Sequence, residues 1–184
     1  MDRQRTFGVL IISWLVFSSF MTACSLGGST RGYLNQGISH YNSGDYGQAV
    51  ADYSKAIELD PNYALAYNNR GNAYAGSGDL EQAIADYNKA IELDPDNELA
   101  YNNRGIAYAD LDDYEQAISD YSKAIELDSN FALAYKNRGN AYAGSGDLEQ
   151  AIADFEYYLE LAPHAPNRAE ITNIIEQLKS ELSP

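Results

Sequence analysis

The sequence predicts an all-α protein: four copies of a two-helix unit, stacked into a solenoid and closed by a C-terminal capping helix. Three observations carry this. The eight-residue stretch Tyr67 to Tyr74 recurs as Tyr101 to Tyr108 and Tyr135 to Tyr142, at a spacing of 34 residues, with a degenerate copy from Tyr33 to His40. A period in this range marks stacked supersecondary units. Within each period the recurring residues fall at spacings of three and four, which is helical. Each period is also cut twice by turn or stop signals, as at Ser77-Gly78 and Asp94-Pro95.

The chain opens with Arg3 and Arg5, followed by an uncharged run from Thr6 to Thr30 that is mostly apolar between Phe7 and Phe20. These are the n-region and h-region of a secretory signal. Met21-Thr22-Ala23-Cys24 resembles the lipobox of bacterial lipoprotein signal peptides, with Met21 where leucine is more usual. That resemblance implies a signal peptide over 1–23 and lipid on Cys24, and it places the protein on the periplasmic side of the cell envelope. Ser25 after the cysteine leans, by analogy with enterobacterial sorting, towards the outer membrane. An uncleaved anchor and ordinary cleavage are the alternatives, and both also put the repeats outside the cytoplasmic membrane. Cys24 is the sole cysteine, which excludes an intramolecular disulfide or a thiolate metal cluster. Residues 24–29 form a short tether that Gly27, Gly28 and Ser29 should make flexible.

The repeat frame gives units 30–63, 64–97, 98–131 and 132–165. The second and fourth agree at 25 of 34 positions. In each, a first helix of about Ala64 to Gly76 should turn Tyr67, Gly71 and Tyr74 inward, and Gly71 implies close approach by a neighbouring helix's backbone. The second helix opens at Asp79, which can cap free amides, with Gln82 placed for a capping box. Asp45/Gln48, Asp113/Gln116 and Asp147/Gln150 repeat the pattern. The buried face is then Ala83, Tyr87, Ala90 and Ile91. In the last unit Tyr158 stands in the small-residue column of Ala56, Ala90 and Ala124, where it should hold the next helix further off. Residues 166–184 form the capping helix, with an apolar stripe of Ile171, Ile174, Ile175, Leu178 and Leu182 and a start signal in Asn167 with Glu170.

The Gly71, Tyr74, Ala83, Tyr87, Ala90 and Pro95 columns and their translations resemble the tetratricopeptide repeat family over residues 30–165. Departures are His40 in the tyrosine column and Gln36, Arg70, Arg104 or Arg138 before the glycine. The arginines are expected to pair with acids such as Asp86 and Asp120. The resemblance implies that the first helices line a concave, partner-binding surface. The expected peptide-binding strip is Asn35, Asn69, Asn103 and Asn137, flanked by Asn68, Asn72, Asn102, Lys136 and Asn140. An amide offers both donors and an acceptor to a peptide backbone. The alternative is a solvated face copied by duplication. Lys136 with Asn140 also resembles the start of the clamp with which some family members hold a C-terminal carboxylate, but the units that would complete it are absent.

The net charge of −15 opposes a phosphate backbone, so nucleic acid is not an expected partner. A neutral or basic protein fits better. No catalytic constellation is present, and neither cofactor nor metal is expected; Asp94, Asp96 and Glu98 suggest a calcium loop only until Pro95 interrupts it. The expected function is therefore a non-enzymatic scaffold or adaptor that binds envelope or membrane proteins. The alternative is self-association, as a homodimer through Tyr157-Tyr158 and the capping helix or as an assembly factor for pilus, secretion or photosynthetic machinery.

Overall fold

The structure is a computed structural model that describes residues 28–183. The signal segment and Cys24 lie outside the described residues. Among the described residues there are nine helices and no strand: α1 (Thr30–Asn42), α2 (Tyr46–Leu59), α3 (Ala64–Ser77), α4 (Leu80–Leu93), α5 (Glu98–Asp110), α6 (Tyr114–Leu127), α7 (Ala132–Ser145), α8 (Leu148–Leu161) and α9 (Arg168–Leu182). Each unit pairs an odd helix with the even helix after it, and consecutive units stack. Neighbouring odd helices also touch one another, whereas neighbouring even helices do not. The odd helices therefore line the inside of the curve.

The core is built from small residues and one large ring per unit. Ala66, Ala73, Ala83 and Ala90 are fully buried, with the Tyr87 ring between the helices of its unit. A Cβ on Gly71 would lie 2.7 Å from Cε1 of Tyr87, and the same holds for Gly37 under Tyr53, Gly105 under Tyr121 and Gly139 under Phe155. The glycine column thus admits a partner aromatic ring, rather than the neighbouring backbone expected from the sequence. The expected stripe of Tyr67 and Tyr74 is also corrected. Both are only half-buried, and they flank the Arg70 guanidinium at 5.6 and 6.0 Å. The closest-packed positions of the first helix go to alanines, which let helices approach. Ile91 likewise is half-buried.

The arginine column holds the units together. Arg70 Nε and Nη2 donate to the two carboxylate oxygens of Asp86 at 2.7 and 2.8 Å, and its Nη1 donates to Ser54 of the preceding unit. Arg104 repeats this with Asp120 and Asn88, and Arg138 with Asp154 and Ser122. Each guanidinium therefore ties three helices. The carboxylate bonds hold its pKa above the ordinary value, against burial, which lowers it. Unit 1 has Gln36 in this column, and Asp52 is met instead by Nδ1 of His40 at 2.8 Å. The two departures of unit 1 compensate each other.

Capping follows the sequence only in part. Asp45, Asp79 and Asp113 accept from the backbone N–H of Gln48, Gln82 and Gln116. Asp147 makes no such bond and accepts from the Ser145 hydroxyl instead. The glutamines are not needed as reciprocal partners, because each aspartate N–H donates to a carbonyl of the preceding helix, as Asp79 does to Tyr74. Ser29, expected in the flexible tether, is the N-cap of α1 and accepts from Gly32 N–H. Asn167 precedes α9 without capping it. Its Oδ1 accepts from Tyr158 at 2.7 Å, so Tyr158 fills the end of the stack and positions the capping helix. Ile171, Ile175 and Leu178 of that helix are buried against Phe155 and Tyr158; Ile174 is half-buried and Leu182 exposed.

The joints between units alternate. Tyr46 packs onto Gly76, where a Cβ would lie 2.7 Å from the ring, and Tyr114 packs onto Gly144 in the same way. At the middle joint the corresponding residues are Leu80 and Asp110.

Candidate binding groove

Three recesses of about 180, 250 and 340 Å3 follow one another along the odd-helix face. The first is lined by Ile38, Tyr53, Asn69 and Asn72, the second by Asn72, Tyr87, Asn103 and Ile106, and the third by Ile106, Tyr121, Asn137 and Asn140. Each is the previous one moved on by one repeat. The floor is the hydroxyl-bearing edge of the buried tyrosine, and the wall is an asparagine of the next unit.

The sequence-predicted residues divide into three groups. Asn69, Asn72, Asn103, Asn137 and Asn140 line the recesses. Asn68 and Asn102 do not: both are 5% exposed and belong to an internal ladder. Asn103 Nδ2 donates to Asn68 Oδ1 at 3.2 Å, and Asn137 Nδ2 donates to Asn102 Oδ1 at 3.1 Å. Two of the expected binding residues are thus structural partners of two others, because the next unit's first helix lies directly over them. The ladder ends where its residue type changes. Leu34 stands in the acceptor column in unit 1, and Lys136 stands there in unit 4. Asn35 is exposed on α1 at the start of the stack. The third group, outside both the recesses and the ladder, is Asn35 and the half-buried Lys136.

The recess floors are not equivalent. Tyr87 donates to Asn72 Oδ1 at 2.8 Å, which spends that asparagine's acceptor. Ile38 and Ile106 occupy the same column and leave Tyr53 and Tyr121 without that partner, while Phe155 beneath Asn140 has no hydroxyl to donate. Burial pushes the Tyr53 hydroxyl up to about 12, and Tyr87 and Tyr121 higher still. These hydroxyls stay protonated and can only act as neutral donors and acceptors.

The odd helices also carry an apolar ladder. Leu65, Leu99 and Leu133 occupy one column of the odd helices and are 43, 50 and 51% exposed. Ile38 and Ile106 add two further exposed aliphatic side chains. The signal was present as a recurring leucine on the helix face opposite Gly71.

Comparison with known proteins agrees with this architecture. Family models described as TPR repeat match residues 37–78 and 71–112, and models described as tetratricopeptide repeat match 99–131 and 132–165. The crystal structure of MamA is 28% identical, with a TM-score of 0.69 over 73% of this chain and 78% of that one. The first TPR of Spaghetti (RPAP3), bound to the HSP90 peptide SRMEEVD, is 34% identical, with a TM-score of 0.62 over 66% of this chain and 94% of that one. The second TPR domain of human RPAP3, in complex with the HSP70 peptide SGPTIEEVD, is 34% identical, with a TM-score of 0.58 over 61% and 94%. No curated protein sequence matches significantly. The model matches, spanning most of the chain, show that it belongs to the tetratricopeptide repeat family.

Proposed function

We propose that this protein is an interaction scaffold that holds the peptide segments of partner proteins along its odd-helix groove and is tethered to the cell envelope through lipid on Cys24. The observation that carries the binding half is the row of three recesses repeated unit by unit, each with an asparagine amide in its wall. RPAP3, a similar structure, holds peptides of other proteins. The envelope half rests on the lipobox-like Met21-Thr22-Ala23-Cys24. Envelope or membrane proteins are the partners this arrangement suits. A homodimer through Tyr157 and Tyr158 is less favoured, because Tyr158 is buried against α9 and only Tyr157, tilted onto Tyr135 at 4.5 Å, stays exposed.

A photo-crosslinking amino acid at Asn103, with Glu115 on the outer α6 as control, tests the groove in intact cells. Adducts from position 103 that are absent at 115 support the reading, and equal labelling at both positions refutes it. Cys24→Ser should move the protein out of the membrane fraction; unchanged fractionation overturns the tether.

A further inference from the structure

The charge of the repeats is segregated by layer. The four odd helices α1, α3, α5 and α7 carry two acids, Glu98 and Asp110, and five bases. Three of those bases, Arg70, Arg104 and Arg138, are spent on aspartates of the even helices. Arg31 and Lys136 then offset Glu98 and Asp110. The four even helices carry twelve acids against three lysines. The strong negative charge of the chain thus lies in its outer helices and in the turns between helices, which hold nine aspartates and no lysine or arginine, while the odd helices themselves are close to neutral. The recesses are lined by amides, tyrosine edges, Ile38 and Ile106, with one carboxylate, Asp110, in the third, and the exposed leucines stand on the same odd helices.

Such a lining offers a charged guest little, with Asp110 in the third recess its one charged group. A carboxylate there would face two unspent bases at opposite ends of the stack, and a cationic guest would find two isolated acids. A peptide backbone is served instead by the amides, and aliphatic side chains by the Leu65, Leu99 and Leu133 column. Packed helices lie about 8–10 Å apart, and an extended chain advances about 3.1–3.4 Å per residue. One repeat therefore corresponds to about three residues of an extended guest. We infer that the groove takes an uncharged, extended internal segment of a partner protein, with an aliphatic side chain at about every third residue. This deepens the groove reading above and rests on it.

The test uses the full chain in lipid nanodiscs and four labelled twelve-residue peptides built on a Leu-Ser-Pro triplet, three of them amidated. One is the neutral parent, one has its leucines reordered to every second position, one replaces serine by lysine, and one replaces serine by glutamate and ends in a free carboxylate. The neutral triplet should bind at least tenfold more tightly than the other three. Its affinity should hardly change between low and high salt, since no exposed charge pair is made. Leu99→Ser with Leu133→Ser should lower it about tenfold with an unchanged circular dichroism spectrum, because both side chains are already half in water. The inference is overturned if a charged peptide binds as tightly as the neutral one, if the reordered peptide is indistinguishable from it, if the double variant binds unaltered, or if the neutral triplet does not bind. A charged peptide that wins and also blocks crosslinking at position 103 would sink this inference and leave the groove reading standing. Failure of every peptide together with an unlabelled position 103 would remove both.

Discussion

Arg104→Met should be among the most damaging single substitutions in the repeats. Arg104 Nε and Nη2 reach Asp120 at 2.8 and 2.6 Å, and the two side chains are only 18 and 7% exposed. Removing the arginine leaves a carboxylate buried without its partner, which costs about 3–5 kcal/mol. It also removes the hydrogen bond to Asn88, so the interface between the second and third units weakens as well. Asp120→Val strands the cation and costs somewhat less, because a guanidinium can reach water at the helix edge. The double variant strands nothing, and apolar replacement of a whole buried pair is often close to neutral. The coupling energy of the cycle should therefore be about 3 kcal/mol or more. For the exposed Lys89–Glu92 pair it should be only about 0.2–0.5 kcal/mol. The assay is urea denaturation followed in parallel by circular dichroism and tyrosine fluorescence. At a slope of about 2 kcal/mol per molar, the Arg104→Met midpoint should fall by roughly 2 M. If it falls by less than about 0.5 M, or if the cycle gives no more coupling than the surface pair, the arginine column is not what binds the units.

Gly105→Ala should destabilise even though alanine is the better helix former by about 1 kcal/mol. The new Cβ would lie 2.8 Å from the buried Tyr121 ring, and overpacking of this kind costs about 1–3 kcal/mol; a raised urea midpoint would refute the ring-on-glycine account. Asp112 holds φ at 59° where the other three units place Gly44, Gly78 and Gly146 at positive φ. Asp112→Gly should therefore raise stability by about 0.5–1 kcal/mol, less whatever the lost Tyr114 hydroxyl bond supplied, and a lowered thermal midpoint would contradict this. The buried tyrosines fix the alkaline limit of the fold. Their folded pKa values lie above the ordinary 10, so the stability they lend is complete below pH 10. It is lost as pH rises towards and beyond about 12, at up to about 1.4 kcal/mol per group per pH unit. Absorbance at the tyrosinate band should show part of the tyrosine ionising together with unfolding; smooth titration of every tyrosine near pH 10 without unfolding would oppose it.

The two-helix unit and the arginine–aspartate pairing were legible in the sequence, because each depends on residues within one unit. What was not legible depends on the next unit. Asn68 and Asn69 are adjacent on the helix, and nothing local says that the first will be covered and the second left in a recess. The following odd helix decides it, by bringing Asn103 within 3.2 Å of Asn68. Helical periodicity turns Leu65, Leu99 and Leu133 away from the Gly71 face, but nothing local says whether a later helix will cover them; the structure leaves them 43, 50 and 51% exposed. Asn167 carried a correct start signal for α9 by the wrong physics: the neighbouring Tyr158 hydroxyl captures its side chain before the helix amides can. His40 was visible as a departure, but its purpose emerges only beside Asp52, where it does the work of the missing arginine.

The alternating joints give the array a grammar of two syllables. A ring at Tyr46 or Tyr114 requires a glycine at the receiving position of the next unit, and only the second and fourth units supply one. Excising residues 64–97 would bring Tyr46 against Asp110, a junction the chain never uses. Excising residues 64–131 would bring it against Gly144, a junction equivalent to one already present. Removal of the two middle units therefore recreates an existing junction, whereas removal of the second unit alone sets a ring against a carboxylate. The module that can be copied without repair is the pair of units, although the fold repeats with every one.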